Sequence, residues 1–290
     1  MAKVAFLGLG VMGYPMAGHL LKKGGHDVTV YNRTAAKAQQ WAKEHGGKAA
    51  PTPREAAQGC DFVMMCVGND DDVRSVAYGD HGALAGLKRG AIFVDHTTAS
   101  AVVARELHAK CREKGVGFVD APVSGGQAGA VNGQLGIMCG GDAADFDRAK
   151  PVLDVYAKMC ALIGAPGAGQ LTKMVNQVAI VGLLQGLSEA LNFGKNAGLD
   201  MEKVVGVISK GAAQSWQLEN RWKTMVEGKF EGFGFASDWM RKDLNIALAE
   251  AKKNGSFMPG TALIEQYYGR VAARGGGRWD NTALITLLQK

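Results

Sequence analysis

The sequence predicts an α/β domain with a mostly parallel, doubly wound sheet, followed by an all-α domain. Two observations support this prediction. In the first half of the chain, short apolar runs alternate with amphipathic stretches, as strands and helices do in a doubly wound sheet. In the second half the strand signals disappear and long helical stretches follow. The change near Ala165-Pro166-Gly167 predicts two domains, at residues 1–164 and 165–290.

The strands of the first domain are predicted from β-branched or apolar runs that end at glycine or polar residues. A glycine-rich stretch is expected to add one strand to five clear ones. The predicted strands lie at 4–7, 28–31, 62–67, 92–95, 117–119 and 136–141.

Helices are predicted where apolar residues recur at helical spacing. The first domain has such stretches at 12–23, 35–45 and 101–114. The second domain has them at 169–196, 201–210, 215–227, 235–253 and 260–274. The helix at 169–196 is apolar almost all round, so we expect it to be buried between partners and to link the two domains.

The composition is that of a soluble globular protein. Hydrophobic residues make up 47% of the 290 residues and charged residues 21%, which excludes a disordered or fibrous chain. The net charge is +6, but lysine and arginine are dispersed rather than gathered in a stripe. We therefore expect no nucleic-acid partner.

Several absences indicate a soluble compartment. The five cysteines form no C-x-x-C pair, which predicts reduced thiols and no metal site. The apolar segment near the N-terminus ends in a glycine loop rather than a cleavage site, and no run of about 18 apolar residues is found. We expect a cytoplasmic protein with no membrane partner.

The segment Gly8-Leu9-Gly10-Val11-Met12-Gly13 matches the G-x-G-x-x-G pattern between the first strand and the first helix. In a Rossmann domain the three glycines permit the tight turn, the close approach of a pyrophosphate and the packing of helix against strand. The helix N-terminus provides N–H groups and a positive dipole end for the diphosphate. This context predicts a dinucleotide-binding loop.

The end of the second strand predicts the choice of cofactor. An acidic residue there would bind the ribose hydroxyls of NAD, but the sequence has Asn32-Arg33-Thr34. Asn32 carries no charge to repel a 2′-phosphate, whereas Arg33 and Thr34 can donate hydrogen bonds to it. The sequence favours NADP, with NAD a weaker alternative.

Two further blocks complete a recognisable set. They are Asp120-Ala121-Pro122-Val123-Ser124-Gly125-Gly126 and the G-x-x-x-K-x-x-N segment that contains Lys173 and Asn176. With the glycine loop and Lys242-Asp243-Leu244, they occur in the order typical of the β-hydroxyacid dehydrogenase family. The chain resembles this family over essentially its whole length. The family includes 3-hydroxyisobutyrate dehydrogenase, tartronate semialdehyde reductase and glyoxylate/succinic semialdehyde reductase.

The resemblance implies a role for each block. Lys173 is implied as the proton-transfer residue, while Ser124, Gly125 and Gly126 would hold the substrate carboxylate. Asn176 lies three residues after Lys173 on the same helix face, where it could orient the substrate oxygen. The blocks come from different domains, which predicts that the reaction occurs in the cleft between them.

Other positions resemble cofactor contacts of the family. Thr98 follows the fourth strand, and Val67 lies where the family often has Leu-Pro beside the nucleotide. Gly68 departs from that pattern, which leaves the shape of the loop open. Lys242 is implied at the nicotinamide end of the cofactor, although it could instead pair with Asp238 one turn earlier.

The expected activity is hydride transfer between NADP(H) and a small, carboxylate-bearing 3-hydroxyacid or semialdehyde. Gly129-Ala130 and the block from Asp120 favour hydroxyisobutyrate or tartronate-type substrates, while Asn32-Arg33-Thr34 favours the glyoxylate/succinic semialdehyde type. The alternatives are an imine reductase or a decarboxylating sugar-acid dehydrogenase on the same scaffold, or a non-catalytic nucleotide-binding protein. The resemblance also implies a homodimer or homotetramer.

Overall fold

The computed structural model describes residues 1–289. Two compact units divide the chain, one at Met1–Lys173 and another that begins at Met174. The division falls within the long helix Ala168–Asn196, shortly after the boundary predicted near residue 165. The elements are numbered below in chain order.

The first unit contains one sheet, formed by all nine strands found in residues 1–289. Its path is β3-β2-β1-β4-β5-β6-β8-β7, and β9 also pairs with β8. Strands β1 to β6 are parallel, whereas β8 runs antiparallel to β6 and β7. The strands are β1 (Lys3–Leu7), β2 (Asp27–Tyr31), β3 (Lys48–Ala49), β4 (Phe62–Met65), β5 (Ile92–Asp95), β6 (Gly117–Asp120), β7 (Val123–Ser124), β8 (Leu135–Gly141) and β9 (Ala157–Gly164).

Helices connect the parallel strands, as the sequence predicts. Those of the first unit are α1 (Gly13–Lys22), α2 (Ala35–His45), α3 (Pro53–Ala57), α4 (Asp70–Ala77), α5 (Ala83–Gly86), α6 (Ala101–Glu113), α7 (Gly126–Asn132) and α8 (Ala143–Leu153). The helix α9 (Ala168–Asn196) then leads into the second unit.

Both faces of the sheet are covered by apolar packing. Val4 and Phe6 of β1 belong to one core cluster, and Ala5 and Leu7 belong to another. Successive side chains of a strand point to opposite faces, so each cluster lies on its own face. This is the doubly wound arrangement that near-continuous apolar strands predict.

The second unit is helical. It contains α10 (Met201–Ile208), α11 (Trp216–Glu227), α12 (Ser237–Asn254), α13 (Pro259–Ala273) and the 3₁₀ segments Gly276–Arg278 and Asn281–Leu287. Its apolar residues form two clusters, one around Met225 and Val271 and one around Leu244 and Tyr268. The prediction of an α/β domain followed by helices is confirmed.

Several elements of the first unit differ from the prediction. Strand β4 ends at Met65, so Val67 lies in the following loop rather than in the strand. The sequence did not predict the strands β3, β7 and β9 or the helices α3, α4, α5, α7 and α8. Helix α4 begins at an Asn69 cap, with three aspartates in its first turn, which is a favourable N-terminus for a helix.

Helix α9 contains an 18-residue window with a mean hydropathy of 1.2, of which 33% is buried. Its length and composition would allow it to cross a membrane. The core helix of a protein in water meets the same criterion, so the feature is weak evidence for a membrane span. The absence of a membrane partner stays a prediction.

Candidate active site

The glycine loop between β1 and α1 has the geometry of a diphosphate cradle. Gly8 has φ +98°, and a Cβ there would collide with the carbonyl oxygen of Cys66. A Cβ on Gly13 would collide with the carbonyl oxygen of Gly8. At Gly10, in contrast, a Cβ would meet nothing within 4 Å. The backbone of the loop is therefore closely packed on its inner side and open at Gly10, which fits a dinucleotide cofactor.

The N-terminus of α1 is also suited to an anion. Within the described residues it has no side-chain cap and no acidic residue in its first turn. Val11, in the loop, is 63% exposed. An uncapped helix N-terminus leaves backbone N–H groups for a ligand, and its dipole favours negative charge.

Asn32, just after β2, holds the glycine loop in place. Its Oδ1 accepts a hydrogen bond from Leu9 N at 2.9 Å, and its Nδ2 donates to Thr34 O at 3.2 Å. The sequence identified Asn32 only as an uncharged residue at the ribose position. The structure adds a positioning role, because the side chain joins the ends of β1 and β2.

The two other residues of this segment face solvent. Arg33 is exposed, and its Nη1 forms an ion pair with Asp72 Oδ1 at 3.1 Å. Thr34 is exposed at the N-terminus of α2, where its side chain makes no capping hydrogen bond. A cation held beside an uncapped helix N-terminus suits a phosphate group.

A hydrogen bond joins the loop after β4 to the loop after β5. Thr97 Oγ1 accepts a hydrogen bond from Val67 N at 3.0 Å, and Thr97 N donates to Asp95 Oδ1 at 2.9 Å. Thr97 is buried, whereas Thr98 is partly exposed. Both loops lie at the carboxyl edge of the parallel strands, where open α/β sheets bind ligands.

Ser124 lies at the end of β7, followed by two exposed glycines. Gly125 has φ +128° and Gly126 has φ +59°, backbone conformations that favour glycine. Ser124 itself is partly exposed. Ser124 and the two glycines are thus partly or fully exposed at the end of one strand, and their role as a carboxylate site stays a prediction.

The start of α9 is anchored by Asp120, the last residue of β6. Asp120 is fully buried, and its carboxylate accepts hydrogen bonds from Gly167 N at 2.7 Å and Gln170 N at 3.0 Å. Burial raises the pKa of Asp120 to about 6, against the opposing effect of these hydrogen bonds. The helix packs so closely that a Cβ on Gly169 would collide with Met138 O.

Lys173 follows in the second turn of α9 and is only 7% exposed. Lysine is rarely buried to this extent without a specific role or partner. Asn176 comes three residues later in the same helix, so the two side chains share a face.

Within the second unit, Asn176 begins a chain of polar contacts. Asn176 Nδ2 donates to Gln177 Oε1 at 2.9 Å, and Gln177 Nε2 donates to Asp243 Oδ2 at 2.6 Å. Lys242 Nζ lies 3.1 Å from Asp243 Oδ1 and 5.7 Å from the centre of the Trp239 ring. Gln177 and Asp243 are buried, and this chain fixes the orientation of the Asn176 amide.

His96 is close in sequence to the threonine pair but is part of the protein interior. Its Nδ1 lies 2.7 Å from Ala121 O and its Nε2 lies 2.8 Å from the Tyr156 hydroxyl. Burial lowers the pKa of His96 to about 4, so it is neutral at pH 7. These contacts give His96 a structural role in the interior of the first unit.

Sequence reasoning assigned no role to four buried polar residues. Asp120 and Asp243 lie within the recognised blocks, and Gln170 and Gln177 flank Lys173 and Asn176 in α9. Their position beside the motif residues was the one sequence signal that could have indicated a role for them. The hydrogen bonds that give them a role join residues 47 to 73 positions apart, which no local pattern shows.

Comparisons with known proteins cover both units. A family model described as the NAD binding domain of 6-phosphogluconate dehydrogenase matches residues 3–164. A second model, described as "NAD-binding of NADP-dependent 3-hydroxyisobutyrate dehydrogenase", matches residues 167–288.

Individual relatives align over nearly the full chain. An uncharacterised oxidoreductase of Shewanella frigidimarina is 62% identical, over 100% of this chain and 99% of its own. The 2-hydroxy-3-oxopropionate reductase of Escherichia coli is 34% identical, over 99% and 97%. The structure of Mycobacterium tuberculosis 3-hydroxyisobutyrate dehydrogenase with L-serine superposes with a TM-score of 0.90, at 31% identity and full coverage of both chains.

Proposed function

The chain belongs to the β-hydroxyacid dehydrogenase family, and on this premise we propose an NADP-preferring enzyme for small 3-hydroxyacids or semialdehydes, with Lys173 as the proton-transfer residue. The coarser statement, a nicotinamide-dependent oxidoreductase acting on CH–OH groups, follows from the family itself. The observation that carries the finer proposal is the burial of Lys173 on a helix anchored by Asp120.

The residues of the first unit are suited to hold the cofactor. The glycine loop and the N-terminus of α1 would bind the diphosphate, and Val67 and Thr98 would line the nicotinamide half. When bound, the nicotinamide supplies a hydride for reduction and accepts one in oxidation. Lys242 of α12 is proposed as a further contact at the nicotinamide end.

Lys173 would move the proton. During reduction, its ammonium group donates a proton to the substrate carbonyl oxygen while the carbonyl carbon accepts the hydride. During oxidation, neutral Lys173 removes the hydroxyl proton. Asn176, fixed through Gln177 and Asp243, would orient the same oxygen.

Ser124, Gly125 and Gly126 would hold the substrate carboxylate. The Ser124 hydroxyl donates one hydrogen bond, and glycine backbone approaches without a side chain in the way. The name of the Escherichia coli relative, 2-hydroxy-3-oxopropionate reductase, supports a small carboxylate with a β-carbonyl. Hydroxyisobutyrate, tartronate-type and succinic semialdehyde substrates all pair a carboxylate with a nearby hydroxyl or carbonyl group.

A preference for NADP is proposed from Arg33. Its exposed guanidinium can bind a 2′-phosphate, and Asn32 contributes no negative charge. The family model that matches residues 167–288 is described with an NADP-dependent enzyme, which supports the same choice.

We further propose that the enzyme forms a homodimer or homotetramer, acts in the cytoplasm, and binds neither nucleic acid nor membrane. Analytical ultracentrifugation tests the oligomer. A second sedimentation run with duplex DNA or anionic vesicles tests for binding to nucleic acid and to membranes. Co-sedimentation with either would contradict the proposal.

The deciding experiment is a panel of small hydroxyacids and semialdehydes, followed by nicotinamide absorbance with NADP(H) and with NAD(H). We expect turnover of at least one small carboxylate of this class and a higher kcat/KM with NADPH. Cyclic imines and sugar acids belong in the same panel. Turnover of imines alone would favour the imine reductase alternative, and cofactor binding without any turnover would favour a non-catalytic protein.

A further inference from the structure

Gln170 makes three hydrogen bonds from the first turn of α9. Its backbone N donates to Asp120 Oδ2 at 3.0 Å. Its side chain reaches the loop after β5, where Nε2 donates to Thr97 O at 2.7 Å and Oε1 accepts from Ala99 N at 3.0 Å. Gln170 is 1% exposed, so the backbone groups it pairs would otherwise be buried without water.

The contact continues beyond this loop. Thr97 also accepts a hydrogen bond from Val67 N through its hydroxyl. Gln170 is thus connected to both loops at the carboxyl edge of the sheet, those after β4 and β5. Lys173 lies three residues after Gln170, within one turn of the same helix.

We propose that Gln170 is a positioning residue that holds the loop Thr97–Ala99 and Lys173 in one fixed arrangement. The inference rests on the proposed function, in which this loop lines the nicotinamide and Lys173 moves the proton. Hydride and proton must then reach adjacent atoms of one carbonyl group. A displacement of about 1 Å in such an arrangement can cost roughly a hundredfold in rate.

The chemistry of glutamine explains why this residue is suited to the position. Its amide has one donor end and one acceptor end, and the loop presents one acceptor, Thr97 O, and one donor, Ala99 N. An apolar side chain of the same length would fill the space and satisfy neither group. A carboxylate could accept the hydrogen bond from Ala99 N, but it has no hydrogen to donate to Thr97 O, and two oxygen acceptors would face each other there.

The test compares Gln170→Met with Gln170→Glu. Thr172→Val is the matched control, since it removes a hydrogen bond of the same turn, from Thr172 Oγ1 to Ala168 O, that does not reach the loop. We expect Gln170→Met to lower kcat roughly tenfold to a hundredfold, with KM and the NADPH dissociation constant within about threefold of wild type. Thr172→Val should keep wild-type kcat.

Gln170→Glu provides a readout that a purely structural role would not give. A protonated glutamic acid can donate to Thr97 O and accept from Ala99 N, as glutamine does, whereas its carboxylate cannot donate. Its kcat relative to wild type should therefore rise as the pH falls, or remain near wild type if burial keeps the acid neutral throughout. Asp95, Asp120 and Lys173 are present in every variant, so each kcat is compared with those of wild type and of Gln170→Met at the same pH.

Wild-type kcat in Gln170→Met would overturn the inference, and so would equal kcat for the Met and Glu variants at every pH. Hydrogen exchange at the Ala99 amide gives a measurement that needs no substrate, and it should speed up in Gln170→Met but not in Thr172→Val. If the wild-type protein turns over nothing in the panel, the proposed function fails. The exchange result then decides whether Gln170 holds the loop, because unchanged exchange would contradict it.

Discussion

Lys173 is the residue on which the proposed chemistry depends most. Replacement by alanine removes the only group assigned to proton transfer, so kcat should fall by about 10² to 10⁴. NADPH affinity, measured by fluorescence, should change little. Lys195→Ala is the control, since Lys195 is an exposed lysine near the other end of α9. Turnover near the wild-type level in Lys173→Ala would mean that another group moves the proton.

Ser124 is assigned to the substrate carboxylate. The variant Ser124→Ala loses one hydrogen bond to a charged group, which is worth roughly 1.5–3 kcal/mol, or about tenfold to a hundredfold in kcat/KM. The loss should appear with a semialdehyde acid and be much smaller with an aldehyde that lacks the carboxylate. An equal loss with both substrates would show that Ser124 does not bind the carboxylate.

Arg33 and Asn32 are assigned to cofactor choice. In the double variant Asn32→Asp/Arg33→Ala, a new carboxylate can accept from the ribose hydroxyls and repel a 2′-phosphate, while the cation is lost. The introduced carboxylate keeps an acceptor for Leu9 N, so the glycine loop should stay in place, although the hydrogen bond to Thr34 O is lost. Preference should move from NADP toward NAD, incompletely because the site is exposed and salt screens it.

The matched variant is Asp72→Asn, which removes the carboxylate paired with Arg33 and should strengthen NADPH binding. Steady-state constants for both cofactors, measured at fixed ionic strength, test both variants. A wild-type enzyme that prefers NAD would contradict the role given to Arg33.

Part of the candidate site could be predicted residue by residue. Glycines 8, 10 and 13, Ser124 and Lys173 carry their signal in short motifs, where local spacing reflects the chemistry. Gln170 carries none, because its hydrogen bonds to Thr97 and Ala99 join residues more than 70 positions apart. Side-chain amides of this kind acquire a partner only when the sheet and α9 have both formed.

At the scale of elements, long periodic segments were the most predictable. Helix α2 has the predicted bounds, and α1 and α6 differ from theirs by a residue at one or both ends. Strand β9 was missed because it alternates little, and its residues are mostly partly exposed beside β8. Helix α4 was missed because its first turn, Asp70-Asp71-Asp72, consists of charged residues and shows no apolar residues at helical spacing.

Replacing either of two glycines of α9 by alanine adds a methyl group, and the two replacements should change the unfolding free energy in opposite directions. Gly169→Ala would place Cβ against Met138 O and 2.6 Å from Asp120 O, so helix and sheet must separate. We expect a loss of roughly 1–3 kcal/mol in unfolding free energy and a lower kcat, since Lys173 lies on the same helix. Gly186→Ala meets nothing within 4 Å and should stabilise by roughly 0.5–1 kcal/mol.

Urea unfolding of both variants measures the difference. Equal stability of the two would contradict the close packing of α9 on the end of the sheet.

At the scale of the whole molecule, the order of strand and helix signals was sufficient to predict the fold class. The alternation of strand and helix over the first half requires both faces of a parallel sheet to be covered, as the two clusters around β1 show. The order of strand and helix signals could not predict the chain of hydrogen bonds from Asn176 to Asp243. It depends on how α9 packs against α12, which hydrophobic periodicity does not specify.

Two buried groups of the first unit, Asp95 and His96, contribute opposite pH dependences to stability. Burial raises the pKa of Asp95 to about 7, and within the described residues its Oδ2 has no hydrogen-bond partner. The folded protein thus keeps this proton up to about pH 7, whereas an unfolded chain releases it near pH 4. Because the folded state binds more protons in this window, the contribution of Asp95 to stability falls as the pH rises from about 4 to 7.

His96 acts in the opposite direction, since its lowered pKa makes the unfolded chain bind more protons between about pH 4 and 6.5.

The variant Asp95→Asn isolates one of these opposing contributions. Asparagine keeps an acceptor for Thr97 N, so the hydrogen bond of Asp95 Oδ1 can persist, but the side chain does not titrate. The unfolding free energy of wild type minus that of Asp95→Asn should therefore decrease as the pH rises from 5 to 7 and level off above it. His96 is common to both proteins, and the difference therefore reports the titration of Asp95 together with its coulombic coupling to Asp120. Urea unfolding at a series of pH values gives this difference directly, and a value constant across the series would show that Asp95 ionises in the folded protein as it does in an unfolded chain.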